Sequence, residues 1–280
     1  MDTNSSANPR PVSAVILGGG GRDELARQAG VRHKAFVPVG GRPMVAYVLD
    51  ALLGSPLVAS CLFVGDEAGD EDAVLGEAGV RVVPSGGSFA ESIRRGVEAS
   101  VGLEPHRTVL LVTADLPWLD RAAIEDFIGQ ANGYDIVYPV VKEGVFRRQF
   151  GEQPRTFVRL ADGRFTGGNP VLVRPAALPV LLPFIDRVHR DRKNPLALVR
   201  LLGVRSVWRL LTRRLSIADI VGRLEQELGL SVGVYASPFA SLAADIDKPA
   251  HLDQLDVTTL PRAATRPGLA APEAGADSGR

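Results

Sequence analysis

Cysteine, histidine, net charge and long apolar runs are all scarce in this chain, and each shortage excludes something. There is one cysteine in 280 residues, Cys61, inside the apolar run Val58–Val64. That excludes an intrachain disulfide and a Cys-rich metal centre, and it reads as a small core residue. The histidines, His33, His106, His189 and His251, are scattered and form no HxxxH or HxxE pair, so a His-based metal site is not expected. Lys and Arg number 32 and so do Asp and Glu. No overall positive field favours nucleic acid, and any phosphate binding must come from a local site. No stretch approaches the roughly 18 apolar residues of a membrane span. Met1–Pro11 is Asn-, Ser- and Pro-containing without an apolar centre, so no signal peptide is expected and a reducing cytoplasmic setting is the default.

What is present is 45% hydrophobic residues, enough for a substantial core, in an alternation of strand-like and helix-like segments. Ser13–Leu17 is a short buried-strand run that ends in four glycines. Val58–Val64, Arg81–Val83, Thr108–Val112 and Asp135–Val141 read as further strands. Pro43–Leu53, Ser88–Val101 and Asp120–Ala131 read as helices between them, and Ser88 with Glu91 predicts a capping box. This order predicts an α/β fold, a three-layer α/β/α sandwich around a mostly parallel, doubly wound sheet. Ligands then belong at the carboxyl ends of the strands. Further on, Ala161-Asp162-Gly163-Arg164 predicts a hairpin and Val171–Arg174 a strand. Pro175–Arg190, Pro195–Thr212 and Ile217–Leu228 predict helices, and Leu230–Tyr235 a last strand. Residues 1–11 and 261–280 are expected to be disordered and 12–260 to form one domain, with a helical insert at about 183–228.

Three groups of residues could carry chemistry. Gly18, Gly19, Gly20 and Gly21 follow the first strand and let backbone N–H groups approach a phosphate, with Arg22 as a clamp. Lys34, a dozen residues on, can return to the same anion. Asp115 follows the strand Thr108–Val112, where an open sheet presents its ligand site, and a carboxylate there suits Mg²⁺. Asp245 and Asp247 alternate along an extended stretch, which predicts opposite faces, so only one of them joins a metal site easily. The spacing excludes a P-loop, since G-x-x-x-x-G-K-[ST] is missing. It also excludes a strict G-x-G-x-x-G site, whose third glycine position is Asp23.

The opening AVILGGGGRDELARQAGVRHKAFVPVGGRPMVAYVLDAL, then SGGSFAESIRRGVEA, TADLPWL and ADIDKPAHLDQL, resembles in that order the MobA-like NTP transferase family. The resemblance covers roughly residues 12–174 and 230–256. It implies the glycosyltransferase-A-like, nucleotide-diphospho-sugar transferase fold. It also implies a nucleotidyltransferase that moves a nucleoside monophosphate from an NTP, with GTP or CTP among the family's donors, to a small anionic acceptor with Mg²⁺. On these positions, Gly18 to Gly21 and Arg22 would cradle the phosphates and Lys34 would neutralise them. Gly87 and Ser92 would lie near the base. Asp115 would bind Mg²⁺, with Asp245 or Asp247 completing its shell, and Thr166 to Asn169 would face the acceptor. Two positions depart from the family pattern: Asp23-Glu24 stands where the family's basic residue usually lies, and His33 replaces the proline before the lysine.

From Arg187 to Arg214 there are nine Lys and Arg against one acid, Asp191, with apolar residues at helical spacing. This segment reads as a lid for an anionic substrate, as a weak contact with an anionic membrane surface, or as a packed helical pair with solvated arginines. Two other functions stay open. A glycosyltransferase of the same topology would carry D-x-D after the central strand, where this chain has Asp115-Leu116-Pro117. A nucleotide sensor would keep the fold and lose turnover.

Overall fold

The computed structural model describes residues 9–18, 23–66, 73–102, 107–131, 133–191, 204–248 and 257–261. Gly19 to Arg22, part of the expected insert and most of both expected disordered ends lie outside the described residues.

A nine-stranded sheet forms the middle layer. β1 (Val12–Leu17) is central, paired in parallel with β4 (Val58–Val64) on one side and β6 (Val109–Thr113) on the other. β5 (Arg81–Val83) extends the parallel half beyond β4. β1 is buried almost throughout, as a strand covered on both faces must be, and this is why it reads as an unbroken apolar run. Beyond β6 the sheet departs from the expected parallel order. β10 (Val171–Val173) is inserted antiparallel between β6 and β7 (Ile136–Lys142), and β11 (Val232–Ser237) resumes the parallel direction on the far side of β7. β8 (Val158–Leu160) and β9 (Gly163–Gly167) form the expected hairpin, and β9 pairs antiparallel with the end of β7. A two-stranded ribbon, β2 (Pro38–Val39) and β3 (Arg42–Pro43), stands apart.

Helices cover both faces. α2 (Met44–Leu53) and α5 (Arg121–Ile128) bury Val48, Leu49, Leu52, Ile124 and Phe127 with Ala14, Ile16 and Phe63 of the sheet. On the opposite face α4 (Phe89–Val101) and α7 (Leu178–Asp191) bury Ile93, Val97, Leu178 and Leu181 with Val15, Val64 and Leu111. Residues adjacent in β1 therefore feed different cores, as the period of two requires. The architecture is the expected three-layer sandwich. Short helices α1 (Glu24–Gln28) and α3 (Ala73–Glu77) fill connections. α6 (Glu143–Phe150) was not foreseen: it has a glycine in its first turn and no side-chain cap, and only the buried pair Phe146 and Phe150, four apart, betrays it.

Two details fix α4 against the strand ends. A Cβ on Gly96 would lie 2.5 Å from Val15 Cγ1 and 2.7 Å from Val64 Cγ2, so only glycine lets the helix come this close. Ser88 caps the helix, accepting from the Glu91 amide at 3.1 Å. The Glu91 carboxylate, instead of completing a capping box, pairs with Arg94 and Arg95. The box occurs at Ser216 and Asp219, opening α9 (Ile217–Leu228) after α8 (Val204–Leu211).

Candidate active site

The sheet's direction of progress reverses at β1: the chain moves outward through β4 and β5, then returns to build β6 on the other side. The crevice of such a sheet opens where the strand order turns. Here those strand ends deliver Gly18 after β1 and Asp115 after β6. The Ala114 amide donates to Leu17 O at 3.2 Å, so the two chain segments leave the sheet together. Gly18 donates to Val64 O at 2.9 Å, and a Cβ there would lie 2.0 Å from the Phe63 ring. The first glycine of the loop is thus demanded by packing.

Lys34 opens a 3-10 turn, Lys34–Phe36, whose Ala35 and Phe36 are buried against the α2 core. The ribbon steadies this turn from behind: Met44 N donates to Val37 O at 3.0 Å, Tyr47 donates to Val39 O at 2.7 Å, and Arg42 pairs with Asp50 at 2.7 Å. With the apolar residues anchored, the Lys34 ammonium projects into the crevice. It meets Asp115 Oδ2 at 2.6 Å and Asp247 Oδ1 at 2.5 Å. Burial of Lys34 works against its charge, but the carboxylates of Asp115 and Asp247 outweigh burial and raise its pKa.

The closing segment is tied to the same place by its backbone, since Ile246 N donates to Asp115 O at 3.1 Å. One oxygen each from Asp115, Asp245 and Asp247 then lie within 4.8 Å of one another. The expectation that Asp245 and Asp247 point to opposite faces is corrected here. Residues 244–247 are in no strand, so the alternation of a pleat does not apply to them.

Asp245 is held by Arg155, which sequence reasoning did not find, and by Asn169, which it placed near the acceptor. Arg155 Nη1 makes an ion pair with Asp245 Oδ1, and Asn169 Nδ2 donates to the same oxygen at 3.0 Å. Arg155 Nε donates to Thr166 Oγ1 at 3.0 Å, its Nη2 to Gly167 O at 3.3 Å, and its guanidinium lies 5.8 Å from the Phe146 ring centre. Burial alone would push Asp245 up, but the hydrogen bonds with Asp247, Arg155 and Asn169 hold its carboxyl below the usual range. Burial and the adjacent Asp245 move Asp247 the other way, against the pull of Lys34. No motif marks Arg155: it is one among 32 Lys and Arg. The α6 residues Phe146 and Phe150, with Trp118, form the apolar wall that the segment around Ile246 leans on.

The residues present fit a hard divalent cation. All three ligand groups are carboxylates, the oxygen chemistry that Mg²⁺ prefers. Among the described residues, Asp115 Oδ1 is buried without a hydrogen-bond partner, a costly state for a carboxylate oxygen unless something else coordinates it. Three acids against Lys34 and Arg155 also leave one formal negative charge among these five side chains.

Of the other expected residues, Ser92 lines the same cleft as Gly18, Lys34 and Asp115. Its hydroxyl accepts from Gly86 N at 2.9 Å and donates to Ser88 O at 3.0 Å, which pins the loop containing Gly87 to the helix start. From the β9 side Asn169 reaches Asp245 directly, and Thr166 reaches it through Arg155. A second depression, lined by Arg155, Thr156, Thr166, Asp245, Asp247 and Lys248, opens there. The carboxylate trio therefore stands between two recesses. Gly19, Gly20, Gly21 and Arg22 lie outside the described residues.

The family described as MobA-like NTP transferase domain matches residues 14–206. The chain belongs to this family. The MobA-like assignment makes it a nucleotidyltransferase, and solved structures agree with its fold. A structure described as a hypothetical transferase from Thermus thermophilus is 33% identical, with TM-score 0.76, over 87% of this chain and 99% of that one. The 4-diphosphocytidyl-2C-methyl-D-erythritol synthase of Anaerococcus prevotii DSM 20548 is 14% identical, with TM-score 0.55, over 90% of this chain and 96% of that one. A CMP:2-keto-3-deoxy-manno-octonic acid synthetase complexed with CTP is 13% identical, with TM-score 0.52, over 87% and 96%. At these identities the last two speak for the fold alone. A sequence comparison with curated proteins gives no significant match.

Proposed function

We propose that this MobA-like protein transfers a nucleoside monophosphate from an NTP to a phosphorylated or acidic small-molecule acceptor, releasing pyrophosphate, with Mg²⁺. The observation that carries the reading is the convergence of Lys34, Asp115, Asp245 and Asp247 between two recesses. One recess, with Gly18, Ser92 and Lys34, takes the donor; the other, with Arg155, Thr156, Thr166 and Lys248, takes the acceptor.

An acceptor phosphate or carboxylate oxygen attacks the α-phosphorus in line, and the bond to the pyrophosphate oxygen breaks. No covalent enzyme intermediate is involved. Lys34 offsets charge on the triphosphate and on the leaving pyrophosphate. Backbone N–H groups of Gly18 to Gly21 and the side chain of Arg22 cradle the phosphates, and Gly87 and Ser92 border the base. Arg155 and Asn169 hold Asp245 in one orientation, so the carboxylates need no rearrangement during the reaction. Mg²⁺ held by Asp115, Asp245 and Asp247 supplies charge neutralisation at the reacting phosphate when bound.

Two further parts belong to the proposal. The site of action is the cytoplasm. The basic segment 187–214 contributes a weak contact with an anionic membrane surface, supported by Trp208 and Leu211 of α8, 56% and 77% exposed, beside exposed Arg213 and Arg214. Among the described residues, no helix is long and apolar enough to cross a membrane.

The test is pyrophosphate release from CTP, GTP, UTP and ATP in turn, with Mg²⁺ and a panel of phosphorylated and carboxylate acceptors. Turnover with one donor, lost by at least a hundredfold in Asp115→Ala while the melting temperature holds, is the expected result. NTP binding without turnover on any acceptor would instead favour a sensor.

A further inference from the structure

The two cations of the charged centre are held in different ways. Arg155 has fixtures of its own besides Asp245: it donates to Thr166 Oγ1 and Gly167 O and lies near the Phe146 ring. Among the described residues, Lys34 Nζ has no such fixture. Its hydrogen bonds go to Asp115 Oδ2 at 2.6 Å and Asp247 Oδ1 at 2.5 Å, on two of the three carboxylates that form the cation site. The Lys34 backbone is fixed by its turn, where Val37 N donates to Lys34 O at 3.1 Å. The ammonium, by contrast, ends a flexible stem. Lys34 also lines the donor cleft with Gly18 and Ser92, so its head borders a second place to lie.

Lys34 and a divalent cation need the same oxygens. A Mg²⁺ about 2.1 Å from Asp115 Oδ2 could lie no farther than about 5 Å from an ammonium that stays on that oxygen. The side chains of Lys34 and Asp115 are only 17% and 16% exposed, so little water screens the repulsion. The charge count points the same way. With Lys34 in place, the three carboxylates and two cations carry one net negative charge. With Lys34 withdrawn, the three carboxylates and Arg155 carry two, which a dication neutralises.

Resting on the donor assignment above, we infer that Lys34 is the built-in counter-cation of this site in the absence of nucleotide: its ammonium closes Asp115 and Asp247 to free Mg²⁺ and gives them up when a triphosphate in the donor cleft draws it away. Metal and NTP then bind with positive coupling, each raising the affinity of the other, because both favour the same displaced Lys34. Three carboxylates without such a lysine would take up a divalent cation whether or not a nucleotide were present. Arg155 stays in place throughout, held by Thr166 and Gly167.

Mn²⁺ alone, followed by loss of its free-ion electron paramagnetic resonance signal in the nucleotide-free protein, tests this on the wild type, Lys34→Gln, Lys34→Met and Lys34→Arg. The wild type and Lys34→Arg are expected to bind weakly, and both neutral variants to bind about tenfold more tightly. Mn²⁺ should also raise the melting temperature of the neutral variants by several degrees and barely move that of the wild type. Folded neutral variants that bind Mn²⁺ no more tightly than the wild type overturn the inference, while NTP-dependent turnover by the wild type still supports the transferase reading. A wild type that binds neither Mn²⁺ nor NTP, alone or together, overturns both.

Discussion

Individual residues at the site are balanced by their neighbours to different degrees. Asp245 is nearly buried, with a side chain 10% exposed, and a lone carboxylate so placed would be costly. Arg155 and Asn169 both bond its Oδ1. Away from the site, Cys61 shows what burial does without a partner: its thiol is pushed from an ordinary 9.0 up to about 12. An acid with a raised folded pKa stabilises the fold below the unfolded value and loses that contribution as pH rises from 9 towards 12. Alkylation by iodoacetamide at pH 8 is accordingly expected to be at least a hundredfold slower in the native protein than in urea; equal rates would show the thiol to be accessible and unperturbed. Lys34 and Asp115 were legible because each is placed by a local signal, a glycine loop before one and an apolar strand before the other. Arg155 was not, because its role comes from contacts 9 to 90 positions away in sequence.

Among the elements, those defined by local chemistry were the readable ones. The ends of α2, α4 and α9 follow from Pro43, Ser88, Ser216 and Gly229. α6 lacked such punctuation and was missed. α8 presents a case where pattern and partner must be weighed. Leu210 packs beside Leu215, Leu160 and Phe165, and Arg209 pairs with Asp219 at 2.7 Å, so one side of the helix is spoken for. Trp208 and Leu211 lie three apart on the exposed side. Sedimentation with phosphatidylserine vesicles at low salt is expected to bring down the wild-type protein and to release it at 0.5 M salt. Trp208→Ala with Leu211→Ser should bind several-fold less. Equal recovery of both proteins in the supernatant at low salt would remove the membrane contact.

For the whole molecule, the sandwich was legible because parallel strands buried on both faces leave continuous apolar runs, as in β1 and β6. The antiparallel insertion of β10 was not, because a three-residue strand carries no mark of its direction or neighbours. That insertion matters: by running β9 and β10 back along β7, the chain brings Thr166 and Asn169 toward Asp245. The fold thereby assembles one charged centre from five separate stretches of chain, at Lys34, Asp115, Arg155, Asn169 and Asp245–Asp247. Manganese, which accepts the same oxygen ligands, reads that centre directly through its electron paramagnetic resonance signal. With NTP present, the wild-type protein should bind Mn²⁺ with loss of the free-ion signal, and Asp115→Ala and Asp245→Ala should each weaken that binding at least tenfold. Folded variants that bind Mn²⁺ and NTP as tightly as the wild type would contradict the account.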